Sequence, residues 1–292
     1  MNKFGSQDMV SKLKKVLMMK PRKFMSKVDK KKWNYDLDLN QKLIEKNFDN
    51  FLKILINLDI EIVYLYLNNT KDELCDAIFT HDPSLVINQG AIILNMNKEL
   101  RKKETLYHIN LYKKLNIPII GQIDNEGRVE GGDCLWINKN TLLVGEGYRS
   151  NKNGIYQLSK ILQIYNIDVI PIKLPKINST SSCFHLMSLI SMLDHDLAIV
   201  YKNFLTDDLY NILKKNNVKL LEIPADEYEK SKTLAVNILA LSPRNLIMLN
   251  GYNKTEKLLS RSNCNLNIFD GEELCIKAEG GPTCLTRPIL RI

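Results

Sequence analysis

Polar and apolar positions along this chain fall into a phrase that repeats. A helical stretch closes on an Asn or Asp break and runs directly into a β-branched strand. The phrase appears as INLDIEIVYL, KKLNIPIIGQ, QIYNIDVIPI, KKNNVKLLEI and, less closely, SRSNCNLNIF, starting at residues 56, 113, 163, 214 and 260. Ahead of the last four lies a pair of apolar runs around a turn: AIFTHDPSLVINQGAIIL, CLWINKNTLLVGEG, LMSLISMLDHDLAIVY and NILALSPRNLIML. Runs rich in Val, Ile and Leu, parted by Asn-Lys-Asn, Asp-His-Asp or Ser-Pro-Arg, predict hairpins. The predicted unit is strand, strand, helix, strand. Five copies at a period of about 50 residues call for a closed or stacked array, because one such unit cannot bury its own apolar face. The expectation is a ring: a five-bladed, pseudo-symmetric α/β propeller of ββαβ units. An ordinary three-layer α/β domain with mixed strands is the alternative. No linker composition interrupts the repeat, so residues 1–292 are expected to form a single domain.

Composition narrows the picture only a little. With 45% hydrophobic and 25% charged residues in 292, the chain has enough apolar material for a substantial core. No apolar run reaches the roughly 18 residues a membrane span needs. The first 25 residues lack the h-region and cleavage site of a signal peptide, so a cytoplasmic location is expected. Net charge is +8, with lysines gathered in KLKK, KPRK and KVDKKKW before residue 34. A basic arm of this kind can touch nucleic acid, but no aromatic residues interleave with it for stacking, and a solvated edge is the preferred reading. Six cysteines without C-x-x-C spacing argue against a disulfide framework and a zinc knot. Only four histidines are present, none paired as H-x-H or H-x-x-x-H, which gives a metal site little support.

Five polar clusters break the strand pattern: DAIFTHD, Arg101 within MNKELRKKE, RVEGGD followed by Arg149, CFHLMS, and GGPTC. Taken singly, each has an ordinary explanation. Asp76 and Asp82 can be turn residues around an Ala-Ile-Phe strand, Asp82-Pro83 being a common turn start. The glycines between Glu130 and Asp133 can supply positive φ. His185 can be a core histidine in an apolar strand, and Cys284 an inert buried thiol after a glycine turn.

Together these clusters resemble the guanidino-group-modifying enzymes: arginine deiminases, dimethylarginine dimethylaminohydrolases and amidinotransferases. The resemblance runs from KLKKVLMMKP to GGPTCLTRP and is most specific in FTHDP, VEGGD, FHLMS and GGPTC. It implies the family's five-bladed pentein-like propeller. It also implies that Cys284 is the nucleophile, His185 the general acid/base and Glu130 the third catalytic residue. Asp82 matches the aspartate that grips the guanidinium. Arg101 and Arg149 match arginines that hold the substrate's carboxylate; Asp76, with Asp133 as a further acid of the set, matches a contact to the substrate's amino end. The chemistry is coherent on its own terms. A guanidinium is planar and permanently cationic, so carboxylates placed for in-plane bidentate bonds suit it, and here Glu130 and Asp82 are the candidates. Attack on its central carbon needs a strong soft nucleophile, which a thiolate is. No cofactor or metal is called for.

Two departures stand out. Deiminases and amidinotransferases usually carry an aspartate two residues after the histidine, where this chain has Met187, and the arginine of FTRD is His81 here. The first favours a hydrolase acting on an arginine-like guanidino compound to give a ureido product such as citrulline. An amidinotransferase, with an amine acceptor in place of water, is the alternative, and a non-catalytic propeller binding ribosome or RNA a third. The expected partner is a small guanidino molecule; no membrane is expected, nucleic acid is disfavoured, and a homodimer is left open.

Overall fold

The computed structural model describes residues 3–292 apart from 28, 34, 36–37, 69–72 and 176–183. Among the described residues, fifteen strands form five three-stranded sheets. Strands β3 (Ser84–Ile87), β4 (Gly90–Ile93) and β5 (Ile119–Gln122) make one; β6 (Cys134–Asn138), β7 (Thr141–Glu146) and β8 (Asp168–Lys173) the next. They are followed by β9 (Ile190–Asp194), β10 (Leu197–Val200) and β11 (Lys219–Glu222), then by β12 (Leu239–Ser242), β13 (Asn245–Leu249) and β14 (Asn265–Phe269). In each sheet the middle strand runs antiparallel to the first and parallel to the third. A parallel neighbour requires a crossover, which a helix supplies in each case.

The fifth sheet joins the two ends of the chain. Strand β15 (Arg287–Arg291) pairs antiparallel with β1 (Leu13–Met18), which pairs parallel with β2 (Glu61–Tyr64). The last strand of the sequence thereby serves as the first strand of the first unit. The architecture is the five-unit α/β propeller expected from the repeat. First and middle strands of the other four sheets are almost wholly buried and mostly apolar, as strands covered on both faces are, whereas β15 carries Arg287 and Arg291 and β1 carries Lys14 and Lys15. Third strands lie at the rim with alternating exposure.

The recurring phrase has a backbone cause. The helices α1 (Gln41–Asn57), α2 (Glu104–Lys114), α3 (Lys152–Gln163), α4 (Asp207–Lys215) and α5 (Asn253–Arg261) each end on a residue in the left-handed region. These are Asp59, Asn116, Asn166, Asn217 and Asn263, with φ of 55, 55, 57, 56 and 59°. In every unit the next residue turns its N–H back onto a carbonyl five residues earlier: Ile60 to Leu55, Ile117 to Tyr112, Ile167 to Leu162, Val218 to Leu213, Cys264 to Leu259. This is the Schellman closure, and its apolar contact is the residue that opens the path into the rim strand. Asn and Asp tolerate the left-handed conformation better than any residue but glycine. Cys264 is accounted for as one of these five buried contacts. Cys75, Cys134 and Cys275 are likewise buried and unbridged; Cys183 lies outside the described residues.

Two local expectations are corrected. Ala77–Phe79 is no strand: Cys75–Ile78 form a 3-10 turn, and the hairpin is β3–β4 alone. His185 precedes β9 and caps a 3-10 turn, Leu186–Ser188, where its N–H donates to Ser188 Oγ at 3.1 Å. A short turn of this kind stands just ahead of the first strand in four units (75–78, 131–133, 186–188, 234–236), and a π-turn (272–276) precedes β15. These turns bring polar residues to the ring centre without interrupting a ladder.

Replacing Asn217 by Val should lower unfolding free energy by about 1–2 kcal/mol, since a β-branched residue is poorly accommodated at φ near 56°. Asn217→Gly should stay within about 0.5 kcal/mol of the parent. Urea denaturation of the three proteins measures both.

Candidate active site

The residues named from sequence arrive from four different units. Asp82 precedes β3, Glu130 and Asp133 flank the turn before β6, His185 precedes β9, and Cys284 precedes β15. The carboxylates of Asp82 and Glu130 and the imidazole of His185 offer atoms that all lie within 4.8 Å of one another. His185 Nε2 is 2.8 Å from Glu130 Oε2. Cys284 is half-buried and lines a cavity together with Phe79, Asp82, Arg149, Tyr35 and Trp33.

The glycines of VEGGD and GGPTC act by being small. Neither pair has positive φ. A Cβ on Gly132 would sit 2.6 Å from His185 Nδ1, and one on Gly281 would sit 2.5 Å from Asn237 Oδ1. The positive-φ reading of the first pair is therefore replaced by close approach of the imidazole to the backbone.

Each acid has a cation beside it. Asp82 Oδ2 accepts from Arg101 at 2.7 Å, and its Oδ1 from the Gly132 N–H at 2.9 Å. Burial pushes the Asp82 carboxyl up, but Arg101 and His185 outweigh it and hold the group well below the usual carboxylate range. Glu130 Oε2 takes Arg149 at 3.3 Å as well as His185, and Oε1 takes the Asn97 N–H at 2.9 Å. Burial again opposes ionisation, and Arg149 with His185 overcome it, so Glu130 is also depressed. Asp76 accepts from Tyr35 Oη and Lys98 Nζ, both at 2.7 Å.

This geometry gives several of the candidate residues protein partners. Arg101 is fully buried and donates to Asp82, to Glu104 and to the Asp76 and Phe79 carbonyls. It fixes Asp82 and also borders the cavity that Cys284 lines. Asp133 is fully buried, its oxygens taken by the Leu186 N–H at 2.9 Å and the Ser150 hydroxyl at 2.5 Å. It ties the Glu130 turn to the His185 turn and does not line the Cys284 cavity. Burial lifts its carboxyl to about 6. Glu130 carries three polar contacts at its two oxygens counting His185, and of these two carboxylates only Asp82 borders the Cys284 cavity. Met187 turns away from this cavity toward a second one on the ring axis. His81, where FTRD has arginine, is still well anchored: its Nδ1 lies 2.8 Å from the Thr286 carbonyl and its N–H donates to the Cys284 carbonyl at 3.2 Å.

One residue was missed altogether. Asn237 precedes β12, the one unit for which the sequence gave no candidate. Its Nδ2 approaches Cys284 Sγ at 3.4 Å, and its Oδ1 accepts the Thr283 N–H at 3.0 Å. Its position just ahead of the fourth hairpin was the available signal. Asp82, Glu130 and His185 could hold a cation as ligands. Arg101 and Arg149 already sit on the two carboxylates, which disfavours a compact divalent ion there.

The pre-hairpin turns of the propeller thus bring an imidazole and two carboxylates together, one of which, Asp82, shares a cavity with the thiol of Cys284. Residues 67–211 match the arginine deiminase family model. The uncharacterised protein YkgA of Bacillus subtilis is 26% identical over 282 residues, covering 96% of this chain and 92% of its own. Dimethylarginine dimethylaminohydrolase from Pseudomonas aeruginosa, solved as a Cys→Ser variant with citrulline, superposes at a TM-score of 0.78. It is 20% identical, covering 94% of this chain and 99% of that one. The amidinotransferase SxtG of Microseira wollei gives 0.79 at 14% identity, covering 99% and 97%. Against curated arginine deiminases the chain spans about two thirds of their length, 66% for the Clostridium perfringens enzyme. The chain has the fold of the guanidino-group-modifying enzymes.

Asp133→Ala strips the partners from a buried N–H and a buried hydroxyl, at roughly 1–3 kcal/mol each. A loss of about 2–5 kcal/mol in chemical denaturation is expected; a value inside 0.5 kcal/mol would return Asp133 to a substrate-facing role. Burial, then Arg287, holds both His81 and His108 down to about 3. The unfolded chain therefore takes up these protons first, near 6.5, and stability falls as pH drops from there toward 3. His108→Gln should flatten that slope by about 1.4 kcal/mol per pH unit, measured by denaturation at pH 5 and 6.

Proposed function

We propose that this protein is a cysteine-dependent hydrolase of an arginine-like guanidino compound. The observation that carries the reading is the convergence of Cys284, Asp82 and Arg149 on one cavity with the Glu130–His185 pair, 2.8 Å apart, beside Asp82. Asp82, kept ionised by Arg101, accepts N–H bonds from the flat face edge of the guanidinium. The bound cation lies against the sulfur and favours its thiolate form. Asn237 donates to that sulfur and, through Thr283, fixes the segment bearing it.

The thiolate of Cys284 adds to the central carbon, forming a C–S bond. His185, oriented by Glu130, gives a proton to the departing nitrogen as the C–N bond breaks, leaving an amidino-thioether. Water enters, His185 takes its proton, and the oxygen displaces sulfur to release a ureido product. Every proton in this sequence moves through one imidazole. Arg149 borders the cavity and supports the reading that a carboxylate-bearing tail lies at that end, while it also donates to Glu130. The amino end meets Asp76, which Lys98 and Tyr35 already occupy, so a primary amine there must displace the lysine.

Turnover is expected with one or more of arginine, its methylated forms and simpler guanidino acids, read as ureido product by colorimetry and released amine by mass spectrometry. Cys284→Ser should lower kcat by at least about 10³ while leaving the thermal midpoint within a few degrees. Product formed only when a primary amine is supplied as acceptor would identify amidino transfer instead. No product from any of these with folded protein would end the proposal.

A further inference from the structure

A second cavity lies on the pseudo-fivefold axis, behind the catalytic turns, bordered by the first strand of every unit. Residues from β3, β6, β9, β12 and β15 line it, and the N-terminal segment at Ser6, Asp8 and Met9 closes one side. Two guanidiniums border it, Arg287 and Arg291, which are 5% and 8% exposed. Neither forms an ion pair among the described residues. Arg291 donates to the Ser11 and Ala240 carbonyls at 2.6 and 2.9 Å, and Arg287 to the His81 carbonyl. The Nε of each arginine, and His81 Nε2 between them and the active site, are buried without a protein partner. Asp8 is the carboxylate nearest in charge to Arg291, yet its oxygen accepts the N–H groups of Val10 and Ser11.

Two guanidiniums buried with a single bordering carboxylate, Asp8, leave positive charge in excess, which is costly; burial lowers both arginines, Arg291 to about 10, with Arg287 adding to the effect and Asp8 opposing it. An anion taken between them offsets that cost. The space open to the centre of a water-sized sphere is about 20 Å³, room for one or two such spheres, which admits a monatomic ion and excludes a nucleotide or an amino acid. We infer that the axial cavity is a binding site for a small monovalent anion of chloride size, held by Arg287 and Arg291. His81, Met187 and Thr283 border it and stand next to Asp82, near His185 and next to Cys284 respectively. The anion thus braces from behind three of the turns that form the catalytic cavity. This inference stands whether or not the hydrolase reading does.

The test compares thermal unfolding of the full chain in sodium chloride and in sodium gluconate at equal ionic strength, the gluconate ion being too large to enter. A saturable rise in Tm with chloride alone is expected, lost in Arg291→Met and, where it folds, in Arg287→Met. Crystals soaked in bromide should show an anomalous peak within about 3.5 Å of both guanidiniums, the usual contact for a halide at N–H donors. Equal Tm in the two salts, an undiminished chloride response in Arg291→Met, or bromide only at the surface would each overturn the site.

Discussion

The pairing of β15 with β1 is the constraint on which the molecule depends. It unites the two ends of the sequence in one sheet, with Leu13 opposite Arg291 and Leu17 opposite Arg287. Three residues ahead of that ladder stands Cys284, so the register that closes the ring also sets the depth of the sulfur. The closure is reinforced from outside the sheet: the Arg291 N–H donates to the Gly5 carbonyl and the Lys12 N–H to the Ile292 carbonyl. Contacts between residues nearly 290 apart carry a large loop-closure entropy, which the buried apolar faces of both strands must outweigh. Catalytic geometry and global stability are therefore coupled at one ladder. Loosening β15 would free the thiol and open the ring together.

Pseudo-symmetry explains how chemistry is distributed. Each unit repeats the same helix end and the same turn before its first strand, so each presents one position to the centre at similar height. The positions hold different groups: Asp82, Glu130 with Asp133, His185, Asn237 and Cys284. Substituting one polar residue in such a turn leaves the ladders intact, because the turn's backbone bonds run within itself and to the neighbouring turn. The ring is a frame with five places for side chains, and the reaction class follows from what fills them.

Much of this was legible in the sequence. The Asn and Asp breaks betrayed the period because a left-handed residue is required at each helix end and few side chains accept it. Asp82, Glu130, His185 and Cys284 interrupt apolar runs, and their chemistry together is specific. What the sequence hid were partnerships. Nothing in MNKELRKKE says that Arg101 folds inward onto Asp82 and Glu104, or that Asp133 joins two turns through Ser150 and Leu186. Asn237 was hidden because an asparagine before a hairpin looks like any turn residue. The role of the glycines was misread since spacing alone does not tell a positive φ from a close approach, and only coordinates show the imidazole lying on Gly132.

The electrostatics of the site raise a difficulty that its geometry answers. Asp76, Asp82 and Glu130 already carry Lys98, Arg101 and Arg149, so a fourth cation entering meets no unpaired negative charge among them. Pairing, however, leaves lone pairs. Each oxygen of Asp82 accepts one hydrogen bond, from Gly132 or Arg101, and a carboxylate oxygen offers two acceptor positions. Two in-plane positions therefore remain on Asp82, the number a bidentate guanidinium uses. Without Arg101, burial would leave the Asp82 carboxyl neutral more often, with one oxygen turned into a donor and the clasp lost. The arginine on Asp82 thus does not compete with the substrate cation so much as keep its receptor ionised in a place where water cannot. The same logic does not extend to Glu130, whose Oε2 is shared between Arg149 and His185. There Arg149 is part of the arrangement, and in the proposed reaction the carboxylate holds an imidazole that changes protonation twice in each turnover.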